Sequence, residues 1–376
     1  MNKDKSLKSL RVLLMLLLVG CAQPQHDSEV PLKEVFKEKF LVGAALNADQ
    51  TNGQQPAELA LVKREFNTIV AENCMKMESL QPEQGVFDFK DADNFVRFGE
   101  ENGMFIVGHT LVWHSQAPDW LFVDEAGNDV SRDTLVARMR NHIHTVVSRY
   151  KGRVHAWDVV NEAIGDQETL RRSKWQQIIG DDYIQLAFQF ANEADPDAEL
   201  YYNDYSMLNP HRRESGIQVI QSLKEKGIRI DGIGMQAHYG LDYLDLNEFE
   251  ESVVKFAEQD VKVMLTELDI TVLPFPTKEM SAEISQNYEL KATLNPYNET
   301  LPDSVGTKLA IAYQGLFEVL LKHQDKIGRV TFWGVNDGQS WRNNWPVKGR
   351  KDYPLLFDRD NAPKKAFQSV VSLVKE

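Results

Sequence analysis

Two cysteines among 376 residues leave the chain little means of cross-linking itself. They are Cys21 and Cys74, and Cys21 lies ahead of the folded body, so no internal disulfide is expected. The body must rely on its core instead, and about 340 residues can bury one. Positive charge is also short: 42 Lys and Arg stand against 56 Asp and Glu, a net charge of −14. That balance disfavours nucleic acid and anionic lipid surfaces as partners. It suits a soluble body acting on neutral material. No Pro-, Ser- or Gly-rich linker follows the polar stretch Ala22 to Val30, and no internal repeat or low-complexity tract is present. A single domain is expected. A Gly-rich dinucleotide fingerprint and a Gly-x-Ser-x-Gly elbow are both missing. His142 and His144 are two apart and face different ways on a helix. His109 and His114 lack a third ligand at metal-binding spacing. Neither a metal nor a cofactor is expected.

Long apolar runs are missing too. The one candidate, Val12 to Val19, is too short to span a bilayer. It follows the basic residues Lys3, Lys5, Lys8 and Arg11 and leads into Leu18-Val19-Gly20-Cys21. This resembles a bacterial lipoprotein signal. The resemblance implies removal of residues 1–20, lipid on the Cys21 thiol, and a short tether over residues 21–35 ahead of the domain at 36–376. Acyl chains would hold the protein on a membrane surface, with the bacterial outer membrane as the expected site, in the periplasm or at the cell surface, without a spanning helix. A plain secretory signal with an incidental cysteine is the competing reading. The leader carries four basic residues and one acidic, Asp4, so its loss takes −14 to −17.

What the body does contain is strand followed by helix, eight times. The patterns predict strands over Leu41–Leu46, Asn67–Glu72, Phe105–His109, Val154–Asn161, Glu199–Asp204, Gly232–Gln236, Val261–Glu267 and Arg329–Val335. Helical patterns over Pro56–Arg64, Ala92–Asn102, Arg132–Tyr150, Asp182–Glu193, Pro210–Lys226, Leu246–Gln259, Gly306–Lys326 and Pro363–Val374 follow them. Ser131 and Asp181 read as N-caps, and Gly103, Gly152 and Gly227 as stops. Eight such units point to an α/β fold, a (β/α)8 TIM barrel, rather than a doubly wound open sheet. Two long loops, Leu273–Val305 and Asn336–Ala362, follow the last two strands and belong on the catalytic face.

Polar side chains collect where the strands end. The second gives Glu72, Asn73 and Lys76; the third His109, Trp113 and Gln116; the fourth Asn161 and Glu162. The fifth gives Asn203, Asp204 and Tyr205; the sixth Gln236 and His238; the seventh Glu267 and Asp269; the eighth Trp333, Asn336, Asp337 and Trp341. Carboxamides, carboxylates and indoles together suit a neutral polyhydroxylated ligand, with flat faces for sugar rings. Cys74 reads as a small buried hydrophobe.

These stretches resemble the family 10 glycoside hydrolases, the endo-β-1,4-xylanases. The likeness rests on Glu72 to Lys76, Gly108 to Trp120, Trp157 to Ala163, Tyr202 to Tyr205, Gly234 to His238, Thr266 to Ile270, Thr331 to Trp341 and Tyr353 to Asp358. It implies that Glu162 is the acid/base and Glu267 the nucleophile of a retaining mechanism. Asn161 would contact the sugar 2-hydroxyl. Gln236 and His238 would lie beside the nucleophile, with Asp269 behind the histidine. Glu72, Asn73, Lys76, His109, Trp113, Gln116, Trp333 and Trp341 would bind sugar on the non-reducing side, with Asn203 and Tyr205 counted among the substrate contacts. Xylan and xylo-oligosaccharides are the implied partners of a monomeric enzyme. A β-1,4-glucanase, an exo-acting relative and a non-catalytic glycan-binding lipoprotein are the alternatives. Two departures stand out. Met77 replaces a usual Trp, and Leu273–Val305 is longer than usual. The chemistry agrees: a glycosidic bond needs a proton donor and a nucleophile on opposite sides of the anomeric carbon.

Overall fold

A computed structural model describes residues 30–277 and 286–374. The leader, Cys21 and residues 278–285 of the first long loop lie outside them. Among the described residues nine strands follow one another: β1 (Leu41–Leu46), β2 (Thr68–Ala71), β3 (Phe105–Trp113), β4 (Ala156–Asn161), β5 (Glu199–Asp204), β6 (Gly232–Met235), β7 (His238–Gly240), β8 (Lys262–Thr271) and β9 (Ile327–Phe332). All pairings among these strands are parallel. β1 to β6 pair in sequence order, β6 pairs with β8 and β8 with β9. The ring closes where β9 meets β1, with Leu41 opposite Arg329. Eight strands therefore form a (β/α)8 barrel, each followed by a helix.

The strands form because each is rich in residues that suit burial on both faces. In β4 all six residues are buried. Inside the barrel Ala45, Val70, Val107, Ala156, Tyr201, Met264 and Trp333 form one cluster, separate from the larger apolar layer under the helices. That interior is a packed floor on which the strand ends stand. Within the stretch assigned to the tether, Leu32–Val35 forms a helical turn whose Leu32 is fully buried and donates its N–H to Glu65 at 2.9 Å.

Three local expectations are corrected. β3 does not stop at His109 but runs on to Trp113, with a register shift against β4 between His109 and Val112. The apolar residues Leu111 and Val112 are fully buried, which favours continued pairing. Beyond the sixth expected strand Ala237 takes the left-handed φ of 63°, and an unforeseen short strand, β7, pairs with Asp269, Ile270 and Thr271 at the outer end of β8. Asp181 is not a cap. A short helix, Lys174–Ile179, ends at Gly180, and the next begins at Tyr183 with Asp182 before it. Asp181 instead accepts a bond from Gln176 at 3.0 Å. Ser131 does cap its helix, accepting from the Thr134 N–H.

Candidate active site

The outer ends of the strands deliver their polar residues to one cleft of about 410 Å³. Glu162 follows β4 directly and is 6% exposed. Trp113, at the end of β3, donates its indole N–H to Glu162 Oε2 at 2.9 Å. Gln236, just past β6, donates to Oε1 at 2.8 Å. Burial raises the pKa of this carboxyl, and the Asp204 charge raises it further. The hydrogen bonds from Gln236 and Trp113 offset only part, leaving it at about 7.

Glu267, inside β8, meets the opposite environment. Burial works against its charge, but donors outweigh it: His238, with the nearby His109 and Asn203, holds the carboxyl below the usual carboxylate range. Asn203 Nδ2 donates to Oε1 at 2.7 Å, and His238 Nε2 lies 3.1 Å from Oε2. The other ring nitrogen of His238 lies 3.0 Å from Asp269 Oδ2. Burial opposes the imidazolium, yet Asp269 and Glu267 on its two sides raise it to about 9. At neutral pH both nitrogens are then donors. Asp269 is itself pinned by the Trp341 indole N–H and Arg342 Nε, each at 2.8 Å.

A shared carboxamide pair joins the two halves. Thr266 Oγ1 donates to Asn203 Oδ1 at 2.6 Å, which turns the Asn203 NH2 toward both Glu267 and, at 3.0 Å, Asn161 Oδ1. Gln236 Nε2 also reaches Asn161 Oδ1, at 3.3 Å. Room for Asn203 comes from Gly234 on β6. A Cβ there would lie 2.3 Å from Asn203 Oδ1 and 2.7 Å from Thr266 Cγ2.

One end of the cleft is a polar socket. Lys76 Nζ donates to Asn73 Oδ1 and Gln116 Oε1, both at 2.8 Å, and stands 5.0 Å from the Trp113 ring centre. Burial lowers the Lys76 pKa and raises that of Glu72, each partly offset by the carboxylates or cations nearby. His109 is held by Asp158 at 2.9 Å, and Trp333 sets its ring edge-on to both His109 and His238. The rest of the wall is aromatic. Trp341 stacks on Trp345 at 4.6 Å, and Phe275 lies 6.0 Å from Trp345.

Every expected site residue in the described chain joins this assembly. Asn203 and Asp269 stand behind the lining, bonded to Glu267 and His238; of the strand-end polar groups Asp204, Asn336 and Asp337 do not line the cleft, and the others do. Ser206, Tyr243, Phe275, Arg342 and Trp345 also line it and were not foreseen. Phe275, Arg342 and Trp345 sit in the two long loops already placed on the catalytic face; Tyr243 carries no sequence signal. Met77 is buried in the core and does not line the cleft. Cys74 is likewise buried, which pushes its thiol up to about 12, far from a nucleophile's range. Among the described residues no cluster of His, Cys, Asp and Glu could hold a metal ion.

The sequence model described as glycosyl hydrolase family 10 matches residues 31–373. The chain belongs to that family. Among its family 10 relatives, endo-1,4-beta-xylanase A of Xylanibacter ruminicola is 46% identical, over 96% of this chain and 97% of the other. An endo-1,4-beta-xylanase of Geobacillus stearothermophilus is 43% identical over 92% of this chain and 99% of its own. A solved family 10 endoxylanase from a sugarcane soil metagenome superposes with a TM-score of 0.88 at 42% identity, covering 92% of this chain and all of that one.

Gly234 yields a direct test of the grip on Glu267. Gly234→Ala should displace Asn203 and remove one hydrogen bond to the Glu267 carboxylate, worth about 1.5–3 kcal/mol, so kcat should fall roughly 10- to 100-fold. Steady-state kinetics beside a thermal melt measure it. An active variant with unchanged kcat would show that this bond is idle.

Proposed function

We propose that the chain is a retaining endo-β-1,4-xylanase, with Glu162 as acid/base and Glu267 as nucleophile. The observation that carries the reading is two buried carboxyls in one cleft with unlike partners: His238 and Asn203 hold Glu267 below the usual carboxylate range, while Glu162 has only the Trp113 indole and the Gln236 amide and burial raises it to about 7. Xylanase relatives covering nearly the whole chain support the substrate class.

The steps follow from that geometry. Glu267 attacks the anomeric carbon as Glu162 gives its proton to the glycosidic oxygen. The C–O bond breaks, the shortened xylan leaves as an alcohol, and a glycosyl ester forms on Glu267. Water enters, Glu162 takes its proton, and the new C–O bond releases the sugar and regenerates both carboxyls. The His238 imidazolium, anchored by Asp269, keeps Glu267 ionised and stabilises it again as a leaving group. The Lys76, Asn73 and Gln116 socket, rich in donors and acceptors, suits xylose hydroxyls, and the indoles suit its ring faces.

Two outcomes test the roles. Glu267→Ala should abolish activity on all substrates, whereas Glu162→Ala should lose xylan hydrolysis yet still form the glycosyl-enzyme from an aryl glycoside with a good leaving group. Azide should restore turnover in the Glu162 variant and give the β-azide; in the Glu267 variant any azide product should be α. The opposite stereochemistry would reverse the assignment. In the wild type, kcat/KM on xylan should fall as pH rises through about 7, where Glu162 loses its proton. On the activated aryl glycoside that basic limb should flatten, since the leaving group needs no acid.

We also propose that the mature protein starts at Cys21, is acylated there, and works outside the cytoplasm as a lipid-anchored monomer. The support is the basic leader running into Leu18-Val19-Gly20-Cys21. Among the described residues no helix is long and apolar enough to cross a membrane. Cys21→Ala should leave the enzyme unprocessed or release it in soluble form. Membrane fractionation would read this, and unchanged attachment would defeat the proposal.

A further inference from the structure

Glu162 sits in the left-handed region, at φ 57°, which a residue with a side chain rarely adopts without being held there. The backbone around it is bound on both sides. Its own N–H donates to the Asn203 carbonyl at 2.9 Å. The next two N–H groups, of Ala163 and Ile164, both donate to the Tyr202 hydroxyl, at 3.0 and 3.1 Å. Ile164 N–H also reaches Asp204 Oδ2 at 3.2 Å, and the Tyr202 hydroxyl donates to that same oxygen. Tyr202 and Asp204 are fully buried and neither lines the cleft. From the other side Arg171 Nε donates to the Glu162 carbonyl at 3.1 Å, and its Nη2 is anchored on the Tyr205 hydroxyl at 2.8 Å. The two peptide units of Glu162 are thus gripped by groups from β5 and by a half-buried arginine nine residues on.

We infer that Tyr202, Asp204 and Arg171 are positioning residues for Glu162, fixing both its peptide units so that the strained residue keeps its carboxyl aimed at the leaving-group oxygen. This rests on the reading of Glu162 as the acid/base. In an alternating strand, Tyr202 and Asp204 point to the same side, so a single face of β5 serves this purpose. Asn203, between them, serves Glu267 from the opposite side. One short strand therefore sets both carboxyls. Releasing the grip would let Glu162 relax toward ordinary backbone angles and swing its carboxyl away. Proton donation then suffers, while sugar binding and attack by Glu267 do not.

The test uses Tyr202→Phe and Arg171→Met in the full chain, with Glu162→Ala beside them. Each is assayed by kcat/KM on xylan and on 2,4-dinitrophenyl β-xylobioside, whose leaving group needs no protonation. A misplacement of about 1 Å can cost on the order of 100-fold, so xylan hydrolysis should fall roughly 10- to 100-fold. Glycosylation by the aryl substrate should stay within about threefold, because general-acid help is absent there. Equal loss on both substrates, or no loss on either, would overturn the inference. If Glu162→Ala itself showed no such split, the fault would lie with the acid/base reading. Should Tyr202→Phe prove unfolded by circular dichroism, Arg171→Met carries the test alone, since that side chain is only half buried.

Discussion

Glu162 and Glu267 are both buried in one cleft, and two like charges in such a place cannot both be kept at little cost. The site answers by giving the two carboxyls different neighbours. Glu267 receives a protonated histidine and a carboxamide. Glu162 receives a neutral indole and a neutral amide, with the negative Asp204 nearby. The His238 imidazolium in turn depends on Asp269, and Asp269 on Arg342 and Trp341. Each shell exists to hold the one inside it. The arrangement is a graded set of charges rather than a single pair, and its middle is the carboxamide bridge of Asn161 and Asn203.

Much of this was readable in the sequence because strand and helix patterns recur and because the chemistry falls at strand ends. The Val-Val run before Asn161-Glu162 gave the central strand and its functional terminus together. What escaped has local physical causes. Nothing in a run of apolar residues tells where the register slips, so the extension of β3 past His109 was invisible. Ala237 gives no hint of a positive φ, since glycine is the usual signal for one. Phe275 and Trp345 lie far apart in sequence and meet only when two loops fold over the same face. The use of Gly234 as a slot for Asn203 depends on a neighbouring strand, which periodicity cannot display.

The core explains why the site can be so polar. The clustered floor residues from Ala45 round to Met264 are apolar but for Tyr201, whose hydroxyl bonds Glu199 rather than the rim, with the buried Arg329 over its ring. Stability comes from that floor and from the layer beneath the helices, leaving the rim free to hold buried charges that a stability-first design would avoid.

The closure of β1 on β9 has a consequence for how the molecule comes into being. Leu41 and Arg329 are partners across the ring, yet 288 residues separate them along the chain, the difference of their numbers. Until the last strand is available, β1 and β8 both present open edges, and the strand that carries Glu267 lacks one neighbour. A ring cannot be finished piecemeal by contacts made early in synthesis; it waits for its final segment. A chain that travels unfolded before assembling would lose nothing by this order, because its enzyme does not exist until the end arrives.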